Sequence, residues 1–180
     1  MKARRRWTTL ATAGTAGVVA IALVVVLATR PPASASQANS PLLGKPAPSL
    51  SGAGLHGGTV DLASMSGRFV LVNFFASWCG PCHQEAAELN RLSHRLSVLG
   101  VTYNDTPGAA AAFLASTGAQ WPAVVDSSGR IAVTYGVRGP PESYLIDPEG
   151  IVEAKVLGPV TAAQAAYLEG VMDRLRRSGQ

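Results

Sequence analysis

One stretch of the sequence limits the possible folds more than any other, the run RFVLVNFFASWCGPCHQE. Its first nine residues, 68–76, are almost continuously apolar, which is typical of a strand buried on both faces of a sheet. Pro81 follows, and proline is favoured at the first position of a helix. The stretch therefore predicts a buried strand leading into a helix over 80–96, with the chain's two cysteines, Cys79 and Cys82, at the junction.

The rest of the domain alternates between strands and helices. A Gly57-Gly58 turn before TVDL indicates an early hairpin, and Thr161 with Gln164 forms a capping box for a last helix. This order predicts an α/β fold with a mixed central sheet flanked by helices. The expected segments are strands at 97–103, 142–147 and 151–157, a short extended piece at 121–126, and helices from Pro107 to Gly118 and from Thr161 to about Arg177.

The N-terminus predicts a membrane segment. A basic tail, residues 1–7, precedes twenty-two residues without charge, 8–29, and a spanning helix needs about twenty apolar residues. We expect a single-pass anchor with the tail in the cytoplasm, a Pro- and Ser-rich flexible linker over 30–41, and an extracytoplasmic domain over 42–180. Cleavage after an Ala-x-Ala site ending at Ala35 would instead give a secreted or periplasmic protein, and the sequence leaves both possibilities open.

The charge of the domain excludes one class of partner. From Pro31 onward the chain has ten Lys and Arg and eleven Asp and Glu, a net charge of −1. The formal charge of +4 for the whole chain therefore comes from the N-terminal tail, and the domain has no basic footprint for nucleic acid. We predict membrane contact through the N-terminal segment and no nucleic-acid partner.

The cysteine pair is suited to redox chemistry. A thiol reacts as thiolate, and the free N–H groups and dipole at a helix N-terminus stabilise thiolate. Cys79 is predicted at the N-cap or first turn, which should lower the pKa of its thiol. Cys82 follows one turn later, within reach of a disulfide, and Gly80 and Pro81 fit the bend between the two cysteines.

Three other uses of the pair are disfavoured without being eliminated. A zinc site needs two more ligands, and only three histidines are available, so we predict no metal. A structural disulfide that closes so short a loop would stabilise little. CGPCH matches the haem-attachment pattern literally, but here it lies between a buried strand and a helix of an α/β domain.

The motifs VLVNFFASWCGPCHQE, GKPAP upstream and YGVRGPPESYLID downstream resemble the thioredoxin superfamily. Within it, the chain resembles the membrane-anchored extracytoplasmic disulfide reductases of the TlpA, ResA and CcmG (DsbE) type, from about Leu43 to the C-terminus. The resemblance implies that Cys79 attacks substrate disulfides and that Cys82 resolves the mixed disulfide. The only redox group it implies is the Cys79–Cys82 disulfide, with no bound cofactor.

Further residues are expected in the site by resemblance. Pro141 matches the family's cis-proline, and Glu85 matches an acidic residue three positions after the second cysteine, one turn from Cys82. Asn73 lies where thioredoxin has a buried aspartate, and an amide cannot titrate, which increases the importance of Glu85. We expect the substrate-binding surface to comprise Trp78, Gly80, Pro81, Gly139 and Pro140.

Pro140 departs from the superfamily pattern. The residue before the cis-proline commonly pairs through its backbone with an extended substrate segment, as in strand addition. Pro140 has no N–H, so only its carbonyl can take part. The sequence therefore predicts looser or more restricted peptide binding than in a general thioredoxin.

The resemblance implies a reductase of particular protein disulfides, with apocytochrome c as one candidate substrate and a CcdA- or DsbD-type membrane protein as electron donor. The alternatives are a DsbA-like oxidase, and a chaperone or binding module without turnover. The segment over 104–120 has room for only one helix, which weighs against the helical insertion of DsbA. Antioxidant peroxidase activity is disfavoured because Ala76 occupies the position where peroxiredoxins have threonine.

Overall fold

A computed structural model describes residues 39–179. The predicted basic tail, the predicted anchor over 8–29 and most of the predicted linker lie outside the described residues. Within 39–179, no helix is both long enough and apolar enough to cross a membrane.

A five-stranded mixed sheet forms the centre of the domain, in the order β5-β4-β3-β6-β7. The central strand β3 pairs in parallel with β4 and antiparallel with β6, so the predicted mixed sheet is confirmed. A separate hairpin of β1 and β2 precedes it, as Gly57 and Gly58 predicted. The strands are β1 Ser51–Ala53, β2 Thr59–Asp61, β3 Val70–Phe75, β4 Ser97–Thr102, β5 Ala123–Val124, β6 Glu142–Ile146 and β7 Val152–Leu157.

Helices cover both faces of the sheet. Alternation along β3 directs Leu71 and Phe75 into a core shared with α1, α2 and α4, and directs Val72 and Phe74 into a second core shared with α3. All six residues of β3 are buried, as its apolar sequence predicted. The helices are α1 Gly80–Leu92, α2 Pro107–Thr117, α3 Arg130–Tyr135 and α4 Ala162–Ser178, and a 3-10 helix spans Leu62–Met65.

One predicted helix differs in length from the structure, and one helix was not predicted. The first helix ends at Leu92 rather than at residue 96, because the chain must turn back there for the Ser97 amide to donate to the Phe69 carbonyl at 2.9 Å. Helix α3 was not predicted at all. It has only six residues, and Gly129 at its N-cap offers no capping side chain.

The chain joins the domain at one end of the sheet. The Gly44 amide donates to the Val152 carbonyl at 2.9 Å, and Pro46 bridges to Ile151 at the start of β7. Because Ile146 pairs with both Val152 and Val70, this contact lies at the N-terminal end of β3.

Candidate active site

The two cysteines form a disulfide at the start of α1. Cys79 is the N-cap of the helix and follows the C-terminal end of β3. Its Sγ accepts a hydrogen bond from the Cys82 amide at 3.2 Å. The predicted position of the pair is confirmed, and the same amide that now contacts Sγ would stabilise a thiolate there after reduction.

The access to the disulfide is narrow. Cys79 and Cys82 are 3% and 1% exposed, whereas Gly80 and Pro81 between them are exposed. Trp78 is 59% exposed, and its indole N–H donates to the Asn104 carbonyl at 3.0 Å. The indole is thus held on the surface beside the disulfide as a fixed apolar contact area.

Asp105, on the neighbouring strand's side, holds Ser77 in the segment that leads to Cys79. It follows β4, and its carboxylate accepts from the Ser77 amide at 2.6 Å and from the Ser77 hydroxyl at 3.0 Å. It also accepts from the Thr106 amide at 2.8 Å. Sequence reasoning did not identify Asp105, although a carboxylate just after a parallel strand beside the dithiol strand was a usable signal.

The loop Arg138–Pro141, here called the substrate loop, lies at the same end of the sheet. The Pro140–Pro141 peptide bond is cis. Pairing of Glu142 with Phe74 brings Pro141 to the C-terminal end of β3, from which the chain continues to the disulfide. Pro141 is buried, whereas Gly139 and Pro140 are half-buried.

Glu85 lies in the interior rather than on the solvent face of α1. It is 1% exposed, and its two carboxylate oxygens accept from the Asn73 side-chain amide at 2.9 Å and from the Val160 backbone amide at 2.8 Å. The Asn73 amide also donates to the Ser143 hydroxyl at 3.0 Å. Burial raises the pKa of Glu85 from 4.5 to about 7, against the opposing effect of these two hydrogen bonds.

A second buried carboxylate, Glu142, was not predicted. It immediately follows Pro141, is 3% exposed, and lies with its Oε2 2.7 Å from Lys155 Nζ. Its Oε1 accepts from the Arg138 amide at 2.8 Å. The signal in the sequence was the presence of two charged residues inside otherwise buried strands.

No metal-binding arrangement lies among the residues that the structure describes. His83, which completes the haem-like CGPCH pattern, packs its ring against Phe113 with centroids 4.7 Å apart. One of its ring nitrogens lies 3.3 Å from the Ser77 carbonyl. The histidine therefore belongs to the packing around the N-terminus of α1.

Comparison with known proteins agrees with this geometry. Residues 43–155 match the AhpC/TSA family. The chain is 41% identical over 125 residues to a thiol:disulfide interchange protein DsbE homolog of Paracoccus denitrificans, covering 67% of this chain and 69% of the relative. It is 30% identical over 138 residues to the thiol-disulfide oxidoreductase ResA of Bacillus thuringiensis, covering 74% and 78%.

A solved structure shows the same fold. The crystal structure of a proposed thiol:disulfide interchange protein DsbE from Chlorobium tepidum superposes with a TM-score of 0.66 at 32% identity, covering 72% of this chain and 94% of that one. The chain belongs to the AhpC/TSA family of thioredoxin-like proteins. Within it, the relatives define a thiol-disulfide oxidoreductase, with Cys79 and Cys82 as its cysteine pair.

Proposed function

We propose that this oxidoreductase works outside the cytoplasmic membrane as a reductase of particular protein disulfides in cytochrome c maturation. Apocytochrome c is the candidate substrate, and a CcdA- or DsbD-type membrane protein is the candidate electron donor. The observation that carries the proposal is the buried carboxyl group of Glu85, one helical turn from Cys82 in a CxxC pair at a helix N-terminus.

The reaction proceeds by two thiol–disulfide exchanges. In the reduced enzyme, the Cys79 thiolate attacks one sulfur of the substrate disulfide, whose S–S bond breaks and whose other sulfur leaves as a thiolate. The Cys82 thiolate then attacks Cys79 Sγ, forming the Cys79–Cys82 disulfide and releasing the second substrate sulfur. Two electrons pass to the substrate, which takes up two protons, and the membrane donor restores the dithiol.

Glu85 is proposed as the group that accepts the proton of the Cys82 thiol. A pKa of about 7 places this carboxyl group near equal protonation at neutral pH, where proton transfer in either direction is efficient. Asn73 supports this role because its neutral amide binds the carboxylate without adding a positive charge that would lower the pKa.

Pro140 supports a restricted choice of substrate. The carbonyl of Pro141 already accepts from the Gly158 amide at 3.0 Å, and Pro140 has no N–H to offer. A substrate segment would therefore pair with the Pro140 carbonyl alone. We expect slower insulin reduction than by a general thioredoxin, and an equal rate would contradict this restriction.

An oxidase of the DsbA type would use the same cysteines in the opposite direction. Between β4 and β5 the chain has only the eleven-residue α2, with no further helical insertion, which favours the reductase. The deciding measurement is the reduction potential of the full-length chain, purified in mild detergent and equilibrated with dithiothreitol or glutathione. A value near or below about −220 mV supports the reductase, and a value near about −120 mV would establish an oxidase instead.

Trapping of intermediates separates turnover from simple binding. In C82S the mixed disulfide on Cys79 cannot be resolved, so we expect partner proteins to remain covalently attached to Cys79 on non-reducing gels. C79S is the matched control and should trap none. A binding module without turnover would retain function in C82S and accumulate no adducts.

A further inference from the structure

We propose that Lys155 is a positioning residue for the substrate loop, acting through the carboxylate of Glu142. Lys155 lies in β7, and its ammonium group contacts the carboxylate of Glu142 and the ring of Tyr144. The inference rests on the proposed reduction of protein disulfides, because it concerns how a large substrate is held beside Cys79.

The two oxygens of Glu142 have different partners. Oε1 accepts from the Arg138 amide at 2.8 Å, at the first residue of the substrate loop. Oε2 lies 2.7 Å from Lys155 Nζ. The side chain of Glu142 thus connects the loop to β7. Because both oxygens belong to one planar carboxylate, the contact of Oε2 with Lys155 orients Oε1 toward the loop.

Lys155 is in place to hold that oxygen. In the β6–β7 register Glu142 lies opposite Leu157 and Tyr144 opposite Lys155, so Glu142 and Lys155 are diagonal neighbours. The ammonium group also lies 4.9 Å from the centroid of the Tyr144 ring, whose hydroxyl donates to the Tyr135 carbonyl at 2.6 Å. The side chains of Glu142 and Lys155 are both more than nine-tenths buried, so removing either partner would leave an uncompensated charge in the interior.

The substrate loop depends on contacts at its two ends. At the first end, the Arg138 amide donates to Glu142 Oε1, and the Arg138 carbonyl accepts from the Tyr103 hydroxyl at 3.3 Å. At the other end, the Pro141 carbonyl accepts from Gly158. Between them, neither Gly139 nor Pro140 makes a backbone hydrogen bond to another described residue.

Loss of the Lys155 charge would release the first end of the loop. An unpaired buried carboxylate either takes up a proton or turns toward water, and both changes weaken its bond to the Arg138 amide. The Pro140 carbonyl would then lose its fixed position. A protein segment that pairs with this carbonyl should bind more weakly, whereas a small disulfide that needs only the sulfur of Cys79 should not be affected.

The test uses the full-length chain in mild detergent, reduced beforehand and mixed in single turnover with two substrates. One is an oxidised peptide containing CxxCH, and the other is bis(2-hydroxyethyl) disulfide. For K155M we expect the half-saturating peptide concentration to rise about tenfold, with the limiting rate and the small-disulfide rate within about twofold of wild type. K155R, which keeps the charge, should retain most of the peptide affinity.

A double variant isolates the role of Glu142. In K155M/E142Q the side-chain carbonyl still accepts from Arg138 and no charge is left buried, so the half-saturating concentration should return to within about threefold of wild type. E142Q alone keeps the acceptor but leaves the Lys155 ammonium without its counter-charge, so its loss of peptide affinity should lie between those of K155M and the double variant. These two variants test the proposal even where K155M fails to fold.

Two results would overturn the inference: equal loss with both substrates in K155M, or a double variant that binds the peptide no better than K155M. The second would mean that the hydrogen bond between the Arg138 amide and the side chain at position 142 does not set the peptide affinity. In each of these cases the wild-type chain still reduces both substrates. Failure of the proposed function would instead appear as a wild-type chain that reduces neither substrate.

Discussion

Two carboxylates are buried at the same end of the sheet, and they differ in the charge of their hydrogen-bonding or ionic partners. Glu85, under the helix that carries the cysteines, accepts only from neutral donors, the amides of Asn73 and Val160. Glu142, under the substrate loop, lies against the ammonium group of Lys155. The exposed fractions of the two side chains are nearly the same, 1% and 3%.

A buried carboxyl group behaves differently with and without a counter-charge. Where the partners are neutral, desolvation raises the pKa of Glu85 to about 7, so the carboxyl group is close to half protonated at neutral pH. Where the partner is a cation, the carboxylate is suited to act as a fixed acceptor. One site is therefore equipped to move protons and the other to hold a loop in place.

The largest expected effect comes from breaking the charged site. K155M leaves the Glu142 carboxylate unpaired in the interior, and we expect a loss of about 3 kcal/mol or more in the free energy of unfolding. K155M/E142Q removes both charges and should recover much of that loss. Urea unfolding of the three proteins measures the effect, and equal stability of K155M and wild type would show that the ion pair does not support the fold.

The neutral site, Glu85, should give a pH-dependent change in the free energy of unfolding, somewhat smaller than the loss expected for K155M. The pKa of Glu85 is about 7 in the folded chain against 4.5 for the ordinary group, so the folded state binds the proton more tightly. Stability from this group is therefore highest below pH 4.5, falls by about 3 kcal/mol as the pH rises to 7, and is then constant. E85Q should lack this fall.

Unfolding of E85Q and of E88Q between pH 4 and pH 8 checks the assignment. Glu88 lies on the same helix but is paired with Arg91 near the surface, at 2.9 Å, so E88Q should keep the wild-type slope. If E85Q shows the same slope as E88Q, the buried carboxyl group is not the one that titrates.

The smallest effect is expected from charges that are paired but exposed. Arg91 contacts both Glu88 and Glu169 at 2.9 Å on the surface. Because water screens such pairs, R91Q should change the melting temperature little, and less still at high salt. A loss comparable to that of K155M would mean that a counter-charge matters equally inside and outside the domain.

The sequence predicted those elements of the fold whose boundaries are marked by residues within the same segment. The apolar run of β3 and Pro81 at the start of α1 identified the strand–cysteine–helix unit, and Pro107 with Gly118 bounded α2. Helix α3 was missed because six residues beginning after Gly129 give too short a pattern to recognise.

The site was predictable only in its motif. The cysteines could be placed from their spacing at the start of a helix, and Glu85 from its match to the family's acidic position, but the surroundings of Glu85 could not be predicted. Its partners Asn73 and Val160 are 12 and 75 positions away in the chain and meet it only after the sheet has formed. Glu142 and Lys155 are recognisable as charged residues in apolar strands, but only the register of the hairpin makes them a pair.

The position at which the residues leading into the domain reach the sheet affects access to the disulfide. Gly44 and Pro46 contact β7 at the end of the sheet opposite to the disulfide, and β3, with six residues between those ends, spans about 20 Å. The sulfur atoms of Cys79 and Cys82 therefore lie about one strand length from the residues that lead into the domain. A partner protein can therefore bind over the disulfide without displacing the residues that lead into the domain.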